Sequence, residues 1–243
     1  MKKQILLRVL LCLTMAVGLL PTMVFASGVT GSGKEDDPYV YEVSIASELS
    51  DAVTAINADP SDSAHYTISL KNDIECGSLS FSKNTTTILG NGHTLTFEDY
   101  DGAIQVGSGT ATHPVLILGG TEDTLTIKGN SSNDTYFIGV GAINGGTEYG
   151  TLKMCDGVTI TGATGNNYFG GAVTVAGGGK FEMDSGSKRV WDASVFVSLP
   201  GGDLQKSQII VTDVFFQKCV RFCKASPCLC LITKQRRMLP VRC

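Results

Sequence analysis

The chain has 243 residues, among them 29 Gly and 7 Pro, with 42% hydrophobic and 17% charged residues and a formal net charge of −4. It is too apolar and too weakly charged to be wholly disordered, and its glycines lack the strict spacing of collagen, so one larger domain or two small ones are expected. The averages conceal a division near Ser187: residues 27–187 carry six lysines, no arginine, twenty acidic residues (net −14) and 26 of the glycines, whereas 188–243 carry ten basic residues against three aspartates (net +7).

Lys2, Lys3 and Arg8 precede the apolar run Val9–Leu20, followed by Pro21 and then Val24-Phe25-Ala26. A charged start, a short apolar core and small residues before a cut site are what export requires, so residues 1–26 are predicted to be a signal peptide cleaved after Ala26. The run is shorter than the roughly 20 apolar residues a membrane span needs. No second run of spanning length follows, so the mature chain is expected outside the membrane, secreted or at a cell surface.

Residues 27–43 form a Gly- and acid-rich linker and a first strand. Leu49, Ala52, Val53 and Ile56 then fall on one helical face, with Ser47 as N-cap, Glu48 and Asp51 in the first turn and Asp59-Pro60 as the stop. From Tyr66 the period changes to two. Short strand cores follow: Ile68–Leu70, Leu79–Phe81, Thr87–Leu89, Leu95–Phe97, Ile104–Val106, Val115–Ile117, Leu125–Ile127, Leu152–Met154, Val158–Ile160, Val173–Val175 and Phe181–Met183. Each carries too little apolar surface to stand alone and needs a neighbour stacked upon it. Repetition points the same way: Gly150–Met154 recurs as Gly179–Met183, Gly141-Ala142-Ile143 as Gly171-Ala172-Val173, and Tyr136-Phe137 as Tyr168-Phe169.

The helix followed by Tyr66–Ile74, then Thr87–Leu95, Asp156–Gly162 and Gly170–Val173, resembles the right-handed parallel β-helix proteins of the pectate-lyase-like class, particularly repeat-bearing bacterial surface proteins. The match covers about Ser44 to Ser187. It implies an all-β solenoid over 44–187 with a short N-terminal capping helix, in an exported, adhesin-like or glycan-binding protein. A truncated polysaccharide lyase or glycoside hydrolase, and a structural stalk, are the alternatives.

Lyases of that class typically use an arginine base with Ca2+ held by aspartates, and residues 27–187 contain no arginine. Lys71, Lys83, Lys128, Lys153 and Lys180 fall at solvent-facing strand positions. A hydrolase needs one carboxylic acid to protonate the leaving oxygen and a second carboxylate to activate water or attack. The carboxylate groupings Asp73 with Glu75, and Glu98 with Asp99 and Asp101, match no such motif and read as turn charges. No catalytic residue and no cofactor is expected. Ca2+ suits the oxygen ligands without any spacing that marks a site. His93 reads as a turn residue, and His65 and His113 have no partner in sequence. Gly28–Lys34 lacks the Ser or Thr and the preceding strand of a phosphate loop, so nucleic acid and nucleotide are not expected partners. Polysaccharide or surface glycan is. Tyr136 and Tyr168, with Asn133, Asn166 and Asn167 beside them, are the candidate sugar contacts; the competing reading packs Phe137 and Phe169 inside and leaves the tyrosines capping turns.

Beyond Ser187 the repeat falters, because Arg189 stands where the spacing of Ile160 calls for an apolar residue. Cys219, Cys223, Cys228, Cys230 and Cys243 cluster here without zinc-type pairing. The 188–243 tail is therefore expected to be irregular: either a basic segment that contacts anionic wall polymer or a membrane surface, or the product of a reading frame lost near Ser187.

Overall fold

A computed structural model of the chain describes residues 29–98, 102–107, 112–129, 136–142, 149–162 and 171–184, with the backbone of four short strands beyond them. The expected signal peptide lies outside the described residues. Strand β1 (Tyr39–Val43) leads into helix α1 (Ala46–Ala58). The strands that follow are β2 (His65–Leu70), β3 (Ile74–Cys76), β4 (Leu79–Phe81), β5 (Thr85–Leu89), β6 (Thr94–Phe97), β7 (Ile104–Val106), β8 (Val115–Leu118), β9 (Leu125–Gly129), β10 (Tyr136–Val140), β11 (Gly150–Met154), β12 (Val158–Thr161), β13 (Gly171–Val175) and β14 (Gly179–Met183).

These strands form three parallel sheets. β1, β2, β5, β8, β11 and β14 are neighbours in the first, β3, β6, β9 and β12 in the second, and β4, β7, β10 and β13 in the third. From β2 to β14 the chain visits each sheet once in every three strands, and each strand pairs with the one three places later. Identical sheet positions therefore stack in columns. Tyr41, Ile68, Ile88, Leu118, Met154 and Met183 make one buried column. Ile74, Leu95, Ile127 and Ile160 make another, and Leu79, Ile104, Ile138 and Val173 a third. Each Leu or Ile removed from water contributes about 2 kcal/mol, so strands of three to five residues are held by their columns rather than by their own length.

Helix α1 buries Leu49, Ala52, Val53 and Ile56, the face its spacing predicts. Its start differs from expectation. Ile45, not Ser47, is the N-cap, and the Glu48 carboxylate reaches back to accept the Ser44 N–H at 2.7 Å. Two asparagines tie the helix to the first round of strands. Asn84, buried, donates to the Ile56 carbonyl and accepts from the Ala64 N–H, both at 3.1 Å. Asn57 donates to the Ser80 carbonyl at 2.6 Å and accepts the Ser82 N–H at 2.9 Å.

Two further corrections concern register and the tail. Gly150–Met154 and Gly179–Met183 pair residue for residue, as their similarity predicts. The Gly141-Ala142-Ile143 and Gly171-Ala172-Val173 similarity does not set a register: Gly171 lies opposite Tyr136 and Val173 opposite Ile138. The tail expected to be irregular carries strands β15 (Lys188–Arg189), β16 (Val195–Val197), β17 (Gln208–Val211) and β18 (Val220–Phe222), which add in parallel to the growing sheets. Short runs such as Val195-Phe196-Val197 need only one edge with free N–H and C=O groups to extend a sheet. Arg189 takes the position opposite Ile160, where its spacing put it.

Candidate functional site

Of the expected sugar contacts, Tyr136 falls among the described residues, and Asn133, Asn166, Asn167 and Tyr168 lie outside them. Tyr136 opens β10 opposite Gly171. The next side chain, Phe137, turns inward and meets Phe97 edge-on, with centroids 5.8 Å apart and an interplanar angle of 84°. Phe137 therefore serves the core. Tyr136 is half-buried and lies against two glycines: a Cβ on Gly102 would come within 2.8 Å of its ring, and one on Gly139 within 2.6 Å. Absent side chains at those two positions make room for the ring.

Gln105 lies beside it, in the register position next to Gly139. Its Nε2 donates to the Gly141 carbonyl at 3.0 Å, which orients the amide. The amide oxygen is buried and finds no hydrogen-bond partner among the described residues. An unmet buried acceptor costs about 1–3 kcal/mol; this oxygen and the Tyr136 ring lie side by side against Gly139. The outward column that contains it runs from exposed Ser80 through half-buried Gln105 to buried Gly139 and Thr174. The accessible part is the end near Ser80 and Gln105.

A second feature is the corner between the first and second sheets. An open groove of about 480 Å3 runs there between Leu89, Asn91 and Gly92 on one side and Gly120–Thr124 on the other. Of its two lining carboxylates, Glu122 is exposed and Asp123 is taken up by a turn, as is Asp73 nearby. Asp123 accepts the N–H groups of Gly90 and Asn91 at 2.8 and 2.7 Å. Asp73 accepts the Thr94 N–H at 2.8 Å, and its Oδ1 stands 3.4 Å from His93 Nδ1. His93 is the turn residue it was expected to be, its own N–H donating to the Gly90 carbonyl at 2.9 Å. Asn91 bonds back to Ser69 Oγ and the Leu70 carbonyl, both at 2.9 Å.

Lys71, Lys128 and Lys153 are exposed, and Lys83 and Lys180 half-buried. The Glu182 carboxylate forms ion pairs with the Lys180 ammonium at 2.5 Å and the Lys153 ammonium at 3.6 Å. Cys76 and Cys155 are free thiols, and burial pushes both pKa values up. The clustered tail cysteines, and Asp99 and Asp101, lie outside the described residues. Among the described residues, no three His, Cys, Asp or Glu side chains come together to hold a metal ion, and no helix is long and apolar enough to cross a membrane.

One pairing escaped the sequence reading. His113, read as partnerless, stacks on Tyr149 with centroids 4.4 Å apart and rings inclined by 19°. The signal was there in the register, since Val115 and Thr151 are opposite each other and the two aromatics each stand two residues earlier. Compared with known proteins, the chain matches no family model, no curated protein and no solved structure.

Proposed function

We propose that this chain is an exported bacterial surface protein, a right-handed parallel β-helix of the pectate-lyase-like architecture with α1 as its N-terminal cap, and that it binds glycans without cleaving them. The stacked columns, the three-strand recurrence and the helix packed beside β1 to β4 support the architecture. The observation that carries the binding role is Tyr136 beside Gln105. An aromatic ring seated on glycine backbone is suited to a sugar: the ring takes the apolar face of the pyranose, and the neighbouring Gln105 amide, turned outward, brings to a hydroxyl an oxygen that has no donor among the described residues. The turn carboxylates support binding over hydrolysis, because Asp123 and Asp73 are committed to backbone N–H groups.

The test is a glycan array probed with the exported chain, residues 27–243, and with the Tyr136→Ala, Tyr168→Ala double variant. We expect binding by the first and loss by the second, with melting temperatures within a few degrees of each other. Equal binding by both would overturn the assignment to these residues. Release of unsaturated or reducing sugars from the bound polysaccharide would overturn the non-catalytic reading in favour of a lyase or hydrolase. Absence of binding to any glycan would leave the stalk.

A further inference from the structure

The turns that join the first sheet to the second carry two Asx-Gly pairs that fall wholly among the described residues, Asn91-Gly92 between β5 and β6 and Asp156-Gly157 between β11 and β12. In such a pair the glycine nitrogen can attack the side-chain carbonyl carbon of the residue before it, because no side chain on the glycine obstructs the approach. What decides the rate is how the chain holds the two groups. Asn91 and Asp156 are both exposed, so access of water does not separate them. Their hydrogen bonds do.

Asn91-Gly92 is tied against the reaction. Asn91 Nδ2 donates to Ser69 Oγ and to the Leu70 carbonyl on the preceding round, both at 2.9 Å, and the Gly92 N–H is committed to the Thr124 carbonyl on the following round, also at 2.9 Å. Attack would break all three bonds. Asp156-Gly157 is built the other way. The Gly157 N–H donates to Asp156 Oδ1 at 2.7 Å, which folds the carboxyl group of one residue onto the nitrogen of the next. The backbone around them is fixed. Val158 donates its N–H to the Cys155 carbonyl at 3.4 Å, closing a turn with Asp156 and Gly157 at its centre, and Gly157, at φ +79°, lies against the Asp123 carbonyl of the preceding round.

We propose that Asp156 is a modification site, converted in the folded protein to isoaspartate through a succinimide, and that Asn91 is protected from the same chemistry. The Gly157 nitrogen attacks Asp156 Cγ. The N–Cγ bond forms, and the amide proton and the carboxyl OH leave together as one molecule of water. Water then adds to the ring: attack at the main-chain carbonyl carbon of Asp156 breaks its bond to the Gly157 nitrogen and leaves the chain running through Cγ, as isoaspartate, whereas attack at Cγ restores aspartate. One water leaves and one returns, and nothing is oxidised or reduced. The product carries one extra backbone atom in a turn whose glycine is pressed against the neighbouring round, so the fit to the Asp123 carbonyl and the bond from Val158 to Cys155 are lost. The site is independent of glycan binding.

The experiment puts the same dipeptide at both turns. Asp156→Asn creates a second Asn-Gly pair in the exported chain, and deamidation at position 156 and at Asn91 is followed by peptide mass mapping during incubation in buffer and in concentrated urea. In buffer we expect position 156 to react about tenfold faster than Asn91; in urea, where the fold no longer holds either pair, the two should react alike. A second measurement uses the unaltered chain. Fragmentation that separates isoaspartate from aspartate should find isoaspartate accumulating at position 156, faster in buffer than in urea. Equal rates at the two positions of the folded variant, or isoaspartate at position 156 of the unaltered chain forming as fast in urea as in buffer, would overturn the proposal.

Discussion

Asp123 Oδ1 accepts the Asn91 N–H at 2.7 Å across the gap between two rounds of chain, while its second oxygen takes the Gly90 N–H at 2.8 Å. One half-buried carboxylate thus closes the turn of the preceding round. Charge-assisted bonds of this kind are each worth about 1.5–3 kcal/mol when their removal leaves donors unmet. We expect Asp123→Ala to destabilise the protein by about 2–3 kcal/mol and Asp123→Asn, which keeps one acceptor, by about half as much. Urea unfolding midpoints measure the difference, and equal losses for the two variants would show that the bonds contribute little.

The same turn stack sets a contrast between two glycines. Gly92 has φ +88° with only Thr124 Oγ1 near a would-be Cβ, at 3.8 Å, whereas Gly157 has φ +79° and a Cβ there would drive into the Asp123 carbonyl. Gly92→Ala carries the left-handed penalty alone, about 1–2 kcal/mol. Gly157→Ala adds a backbone collision, and we expect at least about 3 kcal/mol, read from thermal unfolding. Equal costs would mean that rounds shift apart freely.

Thr86 sits fully buried in an inward column between Tyr66 and Leu116, and its hydroxyl finds no hydrogen-bond partner among the described residues. Replacing an unmet buried hydroxyl with a methyl of the same shape removes a desolvation cost. Thr86→Val is expected to stabilise by about 1 kcal/mol, while Leu116→Ala in the same column costs about 3 kcal/mol. A destabilised Thr86→Val would place the hydroxyl in a bond of its own.

Alternation made most strands legible, because an inward residue on each side of an outward one is the whole requirement of a strand in a stack. Where that signal failed, the reason is local. In β10, Phe137 through Val140 are buried without alternation, so the run reads as an aromatic cluster rather than a strand. β3 is a three-residue strand whose centre is Glu75. The Gly-Ala-aliphatic similarity matched chemistry but not register, because the intervening loops differ in length. Ser47 looked like a cap by residue type, but the helix starts one residue before it. At the candidate site, Tyr136 was legible as an aromatic beside polar residues. Gln105 and the His113–Tyr149 stack were not, since both depend on which rung meets which.

Alkaline pH tests the buried ionisable groups. Burial, reinforced by Glu75, pushes the Cys76 thiol from 9.0 up to about 12. Burial and the hydrogen bond to Asp59 raise the Tyr66 phenol as well. Both groups are neutral when protonated, so the folded chain keeps protons that the unfolded chain releases above about pH 9 and 10. Their contribution is whole below pH 9 and is lost as pH rises towards 12, at up to about 1.4 kcal/mol per pH unit for each group. Between pH 9 and 10 the thiol dominates over Tyr66. Cys76→Ala leaves a small cavity whose cost is independent of pH, so the level of stability falls but its slope should flatten across that interval. Urea unfolding of both proteins at pH 8, 9, 10 and 11 separates level from slope, and parallel curves would mean that Cys76 ionises in the folded chain as readily as in the unfolded one.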